Sequence, residues 1–130
     1  MTSKLVDITA HDGPNYKPLV YFESWRVAIL NDDPEVFRKE KTTCLERHNE
    51  TDEVFVLLEG ECTLYLADGE KDALGPIEAV PMELKKIYNV KKGAWHNLIS
   101  KPGMSLLIVE NADTGSANTD YSSVTTDQLP

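Results

Sequence analysis

The sequence has little of what marks a membrane-spanning, exported or nucleic-acid-binding chain. No apolar run approaches the roughly 18 to 20 residues that a bilayer-spanning helix needs. The opening stretch MTSKLVDITAHDG shows no basic patch followed by an apolar segment and a small-residue cleavage site, so a soluble, cytoplasmic protein is expected. Cysteine is scarce: Cys44 and Cys62 are the only two, neither lies in a paired-thiol motif, and both are expected as packed thiols. Cationic residues are the minority, 13 Lys and Arg against 22 Asp and Glu, for a net charge of -9. That balance repels phosphate backbones and disfavours nucleic acid and anionic membranes as partners. No repeat at a fixed period is visible, which removes the propeller and solenoid readings.

What is present is β texture. Short runs rich in β-branched and aromatic residues lie at Val20 to Leu30, Thr42 to His48, Glu53 to Leu58, Cys62 to Ala67, Ile77 to Pro81, Leu84 to Val90, Ala94 to Ser100 and Ser105 to Glu110. A further short strand is expected at Lys4 to Thr9 in an otherwise irregular start. Turn chemistry separates the runs: Asn31-Asp32-Asp33-Pro34, Glu59-Gly60-Glu61, Asp68-Gly69, Lys91-Lys92-Gly93 and Lys101-Pro102-Gly103. Gly60 is expected at positive φ in the hairpin joining Glu53–Leu58 to Cys62–Ala67. Residues 34–38 are expected as a helical turn behind Asp33, too short to be an independent helix. About eight or nine strands without a long helix predict an all-β, antiparallel barrel or sandwich in one domain. The domain is expected to cover residues 1–112. The polar segment 113–130, rich in Ser, Thr and Asp, is expected to be a tail that orders only by docking.

Strand alternation then groups the chemistry. Cys44, Glu46 and His48 point to one face while Leu45 and Arg47 point to the other. Glu53, Phe55 and Leu57 share a face of the next strand, and the turn through Asn49 to Asp52 lets Glu53 meet His48. A carboxylate at the start of VFVLL costs several kcal/mol to bury unless a metal or cation compensates it, so an inward Glu53 would be a functional sign. His96 sits on a later strand, with Trp95 alternating to the opposite, packed face. Arg26 has two readings, a guanidinium reaching the barrel mouth to pair with a substrate carboxylate and, the one preferred, a solvated surface charge; the Glu50–Asp52 acids are read as a wet turn. His11, the third histidine, lies in the irregular start.

The spacing His48-x4-Glu53-x6-Gly60, followed by Gly93-Ala94-Trp95-His96, resembles the two conserved motifs of the cupin superfamily. The resemblance covers residues 42–111 and implies a single-domain double-stranded β-helix, the jelly-roll barrel. Metal-binding cupins hold a divalent ion with three histidines and one glutamate; three of those positions fall on His48, Glu53 and His96, and the fourth falls on Glu46. The sequence also departs from the motifs at Glu40, Lys85, Lys91 and Ser100. Two imidazoles and two carboxylates still suit manganese, iron, nickel or zinc. The alternative is a metal-free barrel in which these four side chains satisfy one another.

What the resemblance implies is an enzyme of lyase, hydrolase or isomerase type acting on a small polar metabolite, with Glu46, His48, Glu53 and His96 as ligands or acid/base groups. Within the superfamily the stretches HNETDEVFVLLEGE and YNVKKGAWHNL are similar to ureidoglycolate lyase-like cupins. A non-catalytic ligand- or metal-binding cupin of regulatory role is the competing class. Because small cupins expose sheet edges, a homodimer using strands before Leu30 is expected.

Overall fold

The computed structural model describes residues 4–130; residues 1–3, counted above with the barrel and with the opening stretch, lie outside the described residues. Twelve strands follow in order: β1 Asn15–Phe22, β2 Trp25–Asn31, β3 Cys44–His48, β4 Glu53–Glu59, β5 Cys62–Ala67, β6 Gly69–Glu70, β7 Ala73–Leu74, β8 Glu78–Pro81, β9 Ile87–Val90, β10 Trp95–Ser100, β11 Ser105–Asn111 and β12 Thr119–Ser123. They form two five-stranded antiparallel sheets, ordered β1-β2-β11-β4-β9 and β12-β3-β10-β5-β8, with β6 and β7 as a small hairpin. The all-β expectation holds.

Period-two patterning explains why the sheets face each other. In β4 the buried residues are Glu53, Phe55 and Leu57; in β11 they are Leu106, Ile108 and Glu110. With Ala28, Leu30, Leu64 and Leu98 they line the space between the sheets. Leu45 and Trp95, of opposite parity, are fully buried on the outer face of the second sheet under Tyr65, Val124 and Leu129. That sheet is therefore covered on both faces, which accounts for its apolar composition.

Three expectations need revision. Val20 to Leu30 is not one strand but the facing ends of β1 and β2, reversed at Glu23-Ser24 with Glu23 at φ 47. A left-handed turn without glycine or asparagine leaves no mark in a run so rich in aromatic and β-branched residues. Lys4 to Thr9 contains only one bridge residue, Asp7, and no strand. Segment 113–130, read as a polar tail, docks and supplies an edge strand: Thr119–Ser123 pairs antiparallel with β3, while Val124 and Leu129 are buried. Two apolar anchors in a polar segment suffice here because the backbone bonds of an edge strand do the rest.

Gly60 adopts φ +75, as the turn requires, and a Cβ there would lie 2.8 Å from the backbone of Met104. Left-handed strain and a backbone clash add, so Gly60→Ala should lower unfolding free energy by about 2 kcal/mol or more. Urea denaturation measures this; an unchanged midpoint would contradict the packing described. Lys85, where the second motif usually has glycine, keeps the glycine-like conformation at φ 66.

Candidate functional site

Register assembles the site from two rows. In the first sheet Arg26 is paired with Glu110, and Glu53 follows on the neighbouring β4, because Val109 pairs with Val54. In the second sheet His96 pairs with Glu46 and Glu46 with Tyr121, and His48 pairs with Thr119 one step along. The rows meet across a cavity of about 390 Å³ lined by Tyr16, Arg26, Glu46, His48, Glu53, His96 and Glu110 among others. All four residues singled out in the sequence are thus brought together. A larger cavity of about 530 Å³, between β8 and β9, is mostly apolar and includes none of them.

The Nε2 atoms of His48 and His96 both lie 3.0 Å from the same oxygen, Glu53 Oε1. Glu46 Oε1 stands 3.7 Å from His48 Nε2 and 3.8 Å from His96 Nε2, beyond hydrogen-bond reach. Its side chain stays 37% exposed, whereas those of His48, Glu53 and His96 are buried. The outer nitrogens are tied down as well: His48 Nδ1 lies 2.9 Å from Thr119 Oγ1, and His96 Nδ1 donates to Ala94 O at 3.0 Å. Both Nε2 atoms are thereby aimed into the cavity.

Charge is divided unevenly among the carboxylates. Burial opposes ionisation of Glu53, but hydrogen bonds from His48, His96 and Glu110 override it and hold Glu53 well below the usual carboxylate range. Glu110 moves the other way, pushed up to about 8 by burial and by its hydrogen bond and repulsion with Glu53. Burial also raises Glu46. Burial disfavours the His96 imidazolium, yet the bond to Glu53 prevails and its pKa is raised. In the metal-free site the anionic form of Glu53 is therefore favoured, while Glu110 and His96 are both shifted toward their protonated forms.

This predicts an unusual pH dependence. A group whose folded pKa is raised contributes stability that is complete below its unfolded value and lost as pH climbs to the folded one. For Glu110 that window runs from 4.5 to about 8. His96 acts in the same direction, and the depressed Glu53 matters only at lower pH. Thermal melts of chelator-treated protein should show Tm falling across this window; a rising Tm would contradict the assignment. Metal affinity should show the reverse trend, because ligation must displace the His96 Nε2 proton.

The four side chains also fit a divalent ion. Each offers one ligand atom, all within 4.8 Å of one another. Neighbouring ligands of a six-coordinate ion with bonds of about 2.1 Å lie about 3.0 Å apart, the spacing found here between Glu53 Oε1 and each imidazole. Fixed outer nitrogens and a preformed anion complete what such a site requires.

Sequence reasoning missed three neighbours. Glu110 shares parity with Leu106 and Ile108, so its inward direction was readable from SLLIVEN. Arg26, read as a surface charge, is largely buried: it contacts Glu110 at 3.1 Å and donates to the carbonyls of Ala112 and Thr114. Thr119 gave no signal, because β12 has no apolar alternation. Asp52 does belong to a wet turn, where it accepts from the Lys92 amide, and His11 lies apart, bonded to Asn15 O.

No protein-family model matches the sequence, and no curated protein matches it. Solved structures do. CapF, solved with an inhibitor, matches with a TM-score of 0.63 at 14% identity, over 89% of this chain and 34% of CapF, so this chain spans about a third of that protein. A cupin-2 domain protein from Shewanella frigidimarina matches with a TM-score of 0.51 at 20% identity, over 77% of this chain and 84% of its own. The chain has the cupin fold. The Streptomyces protein Pac13, a nucleoside dehydratase also solved with uridine, superposes on this cupin barrel with a TM-score of 0.59 at 11% identity, over 94% of this chain and 99% of Pac13. Among the described residues, no helix is long and apolar enough to cross a membrane.

Proposed function

We propose that this cupin-fold chain is a metal-assisted lyase, hydrolase or isomerase acting on a small polar metabolite. The observation that carries the reading is the contrast inside one cavity: Glu53 is buried between two imidazoles, while Glu46 keeps 37% of its side chain exposed and lies beyond hydrogen-bond reach of both. His48, Glu53 and His96 are the divalent-ion ligands, with manganese, iron, nickel or zinc compatible with their nitrogen and oxygen donors, and Glu46 is the group that both metal and substrate can reach. A bound ion would supply Lewis-acid polarisation of a substrate oxygen. Glu46, with its pKa raised by burial, moves a proton at its carboxylate oxygen. Arg26 and Glu110, paired at 3.1 Å, line the wall of the same cavity.

Lyase chemistry is favoured within this class because one of the proteins with the same fold is a dehydratase. Ureidoglycolate is the first substrate to test, on the motif resemblance. Loss of its hydroxyl proton to Glu46 forms the carbonyl of glyoxylate, the C–N bond breaks, and the nitrogen of the departing urea regains a proton. Glyoxylate release above the uncatalysed rate, lost in Glu46→Gln, supports this substrate. No release by metal-supplemented protein ends that choice, and no turnover across a panel of hydroxy acids and nucleosides overturns the enzyme reading.

One observation favours the competing, non-catalytic reading: Glu53 already satisfies both imidazoles without a metal. Failure to take up any of the four ions would support it.

A homodimer accompanies the proposal, supported by the open outer edge of β1 and by Tyr21, Phe22 and Trp25, which are 58%, 57% and 41% exposed at the hairpin end. Light scattering should give twice the 14.6 kDa chain mass, and a monomer mass would contradict it. A cytoplasmic location is in keeping with the free thiols Cys44 and Cys62.

A further inference from the structure

The two imidazoles that meet at Glu53 are held differently behind. His96 Nδ1 faces the Ala94 carbonyl, which can only accept, so that nitrogen always carries a proton. His48 Nδ1 faces the Thr119 hydroxyl at 2.9 Å, and a hydroxyl can donate or accept. The difference matters because Nε2 of a neutral histidine can donate to Glu53 or bind a metal, but not both. When it donates, Nδ1 must accept; when it binds metal, Nδ1 carries the proton.

We infer that Thr119 is a positioning residue for His48, letting its proton move from Nε2 to Nδ1 as the site takes up a divalent cation. The inference rests on the metal-site reading above and adds a residue that belongs to no cupin motif quoted from the sequence. Thr119 is buried and stands opposite His48 in the β12–β3 register. Its strand is anchored from the other face: Asp120 accepts from Arg47 Nε at 2.9 Å, and Ser122 is fully buried and accepts from the Asp72 amide. The hydroxyl is therefore held at His48 by contacts independent of the site.

Thr119→Val keeps the shape and removes both hydrogen-bonding roles, while Thr119→Ser restores them. Chelator-competition titration with zinc and manganese should show affinity weakened about 10- to 100-fold in the valine variant and recovered in the serine variant. Equal affinity in wild type and Thr119→Val would overturn the inference while leaving the metal site standing. Imidazole nitrogen NMR of the metal-free protein gives a second readout that needs no metal. His48 should be the Nε2–H tautomer in wild type and lose that preference in Thr119→Val. If wild type binds no metal, the metal-site reading fails by itself, and an unchanged His48 spectrum in Thr119→Val overturns the role of Thr119.

Discussion

Glu53→Gln should weaken divalent-metal affinity by more than about 100-fold, beyond what loss of an outer-shell partner costs. Glu53 is the one oxygen donor shared by both imidazoles, and it is already ionised, so it adds no proton cost to ligation. An amide cannot replace it: its carbonyl is a weaker donor, and its NH2 group faces groups that themselves need to donate. The metal-free protein should suffer too. His96 is 3% exposed at its side chain, and among the described residues the other carboxylate that approaches its Nε2 is Glu46, 3.8 Å away. Removing one partner of a buried charged pair costs about 3–5 kcal/mol, although deprotonation of His96 offsets part of that. Chelator competition and denaturant unfolding measure the two effects separately. Full metal affinity in Glu53→Gln would show that the ion, if bound, sits elsewhere.

Trp95→Ala should have the largest effect on stability, about 3–5 kcal/mol, lowering Tm by at least about 10 °C. Trp95 is fully buried, its indole N–H donates to Gly69 O at 2.9 Å, and the Arg47 guanidinium lies 4.5 Å from its ring centroid. Truncation empties the outer cluster on which Val124 and Leu129 dock, so segment 113–130 should become protease-sensitive at the same time. Metal affinity in the folded variant should change far less than in Glu53→Gln, because Trp95 faces away from the cavity. A loss of metal binding without loss of stability would reverse the roles assigned to Trp95 and His96.

The four central residues were legible because two independent regularities agreed on them. Alternation put Glu46 with His48 and placed Glu53 with Phe55 and Leu57; the spacing to Gly60 and His96 matched a known pattern. Glu110 obeys the same alternation, but a lone acid at the end of an apolar strand also reads as a strand terminus. Arg26 was misjudged because the turn at Glu23-Ser24 was hidden, and with it the start of β2 and its pairing with β11. Thr119 was beyond reach: β12 is defined by long-range pairing with β3, not by composition. The motif departures prove local. Ser100 donates to Asp32, which pairs with Arg38 at 2.7 Å, and Lys85 keeps the backbone of the glycine it replaces.

In the proposed site His48, Glu53 and His96 hold a divalent ion on an otherwise self-satisfied cluster. Metal analysis of the purified protein, of His48→Ala and of His96→Ala tests it most directly. About one divalent ion per chain in wild type, absent from both folded variants, is the predicted result. Wild-type protein that carries no metal and takes up none of manganese, iron, nickel or zinc, or variants that keep the full complement, would contradict it.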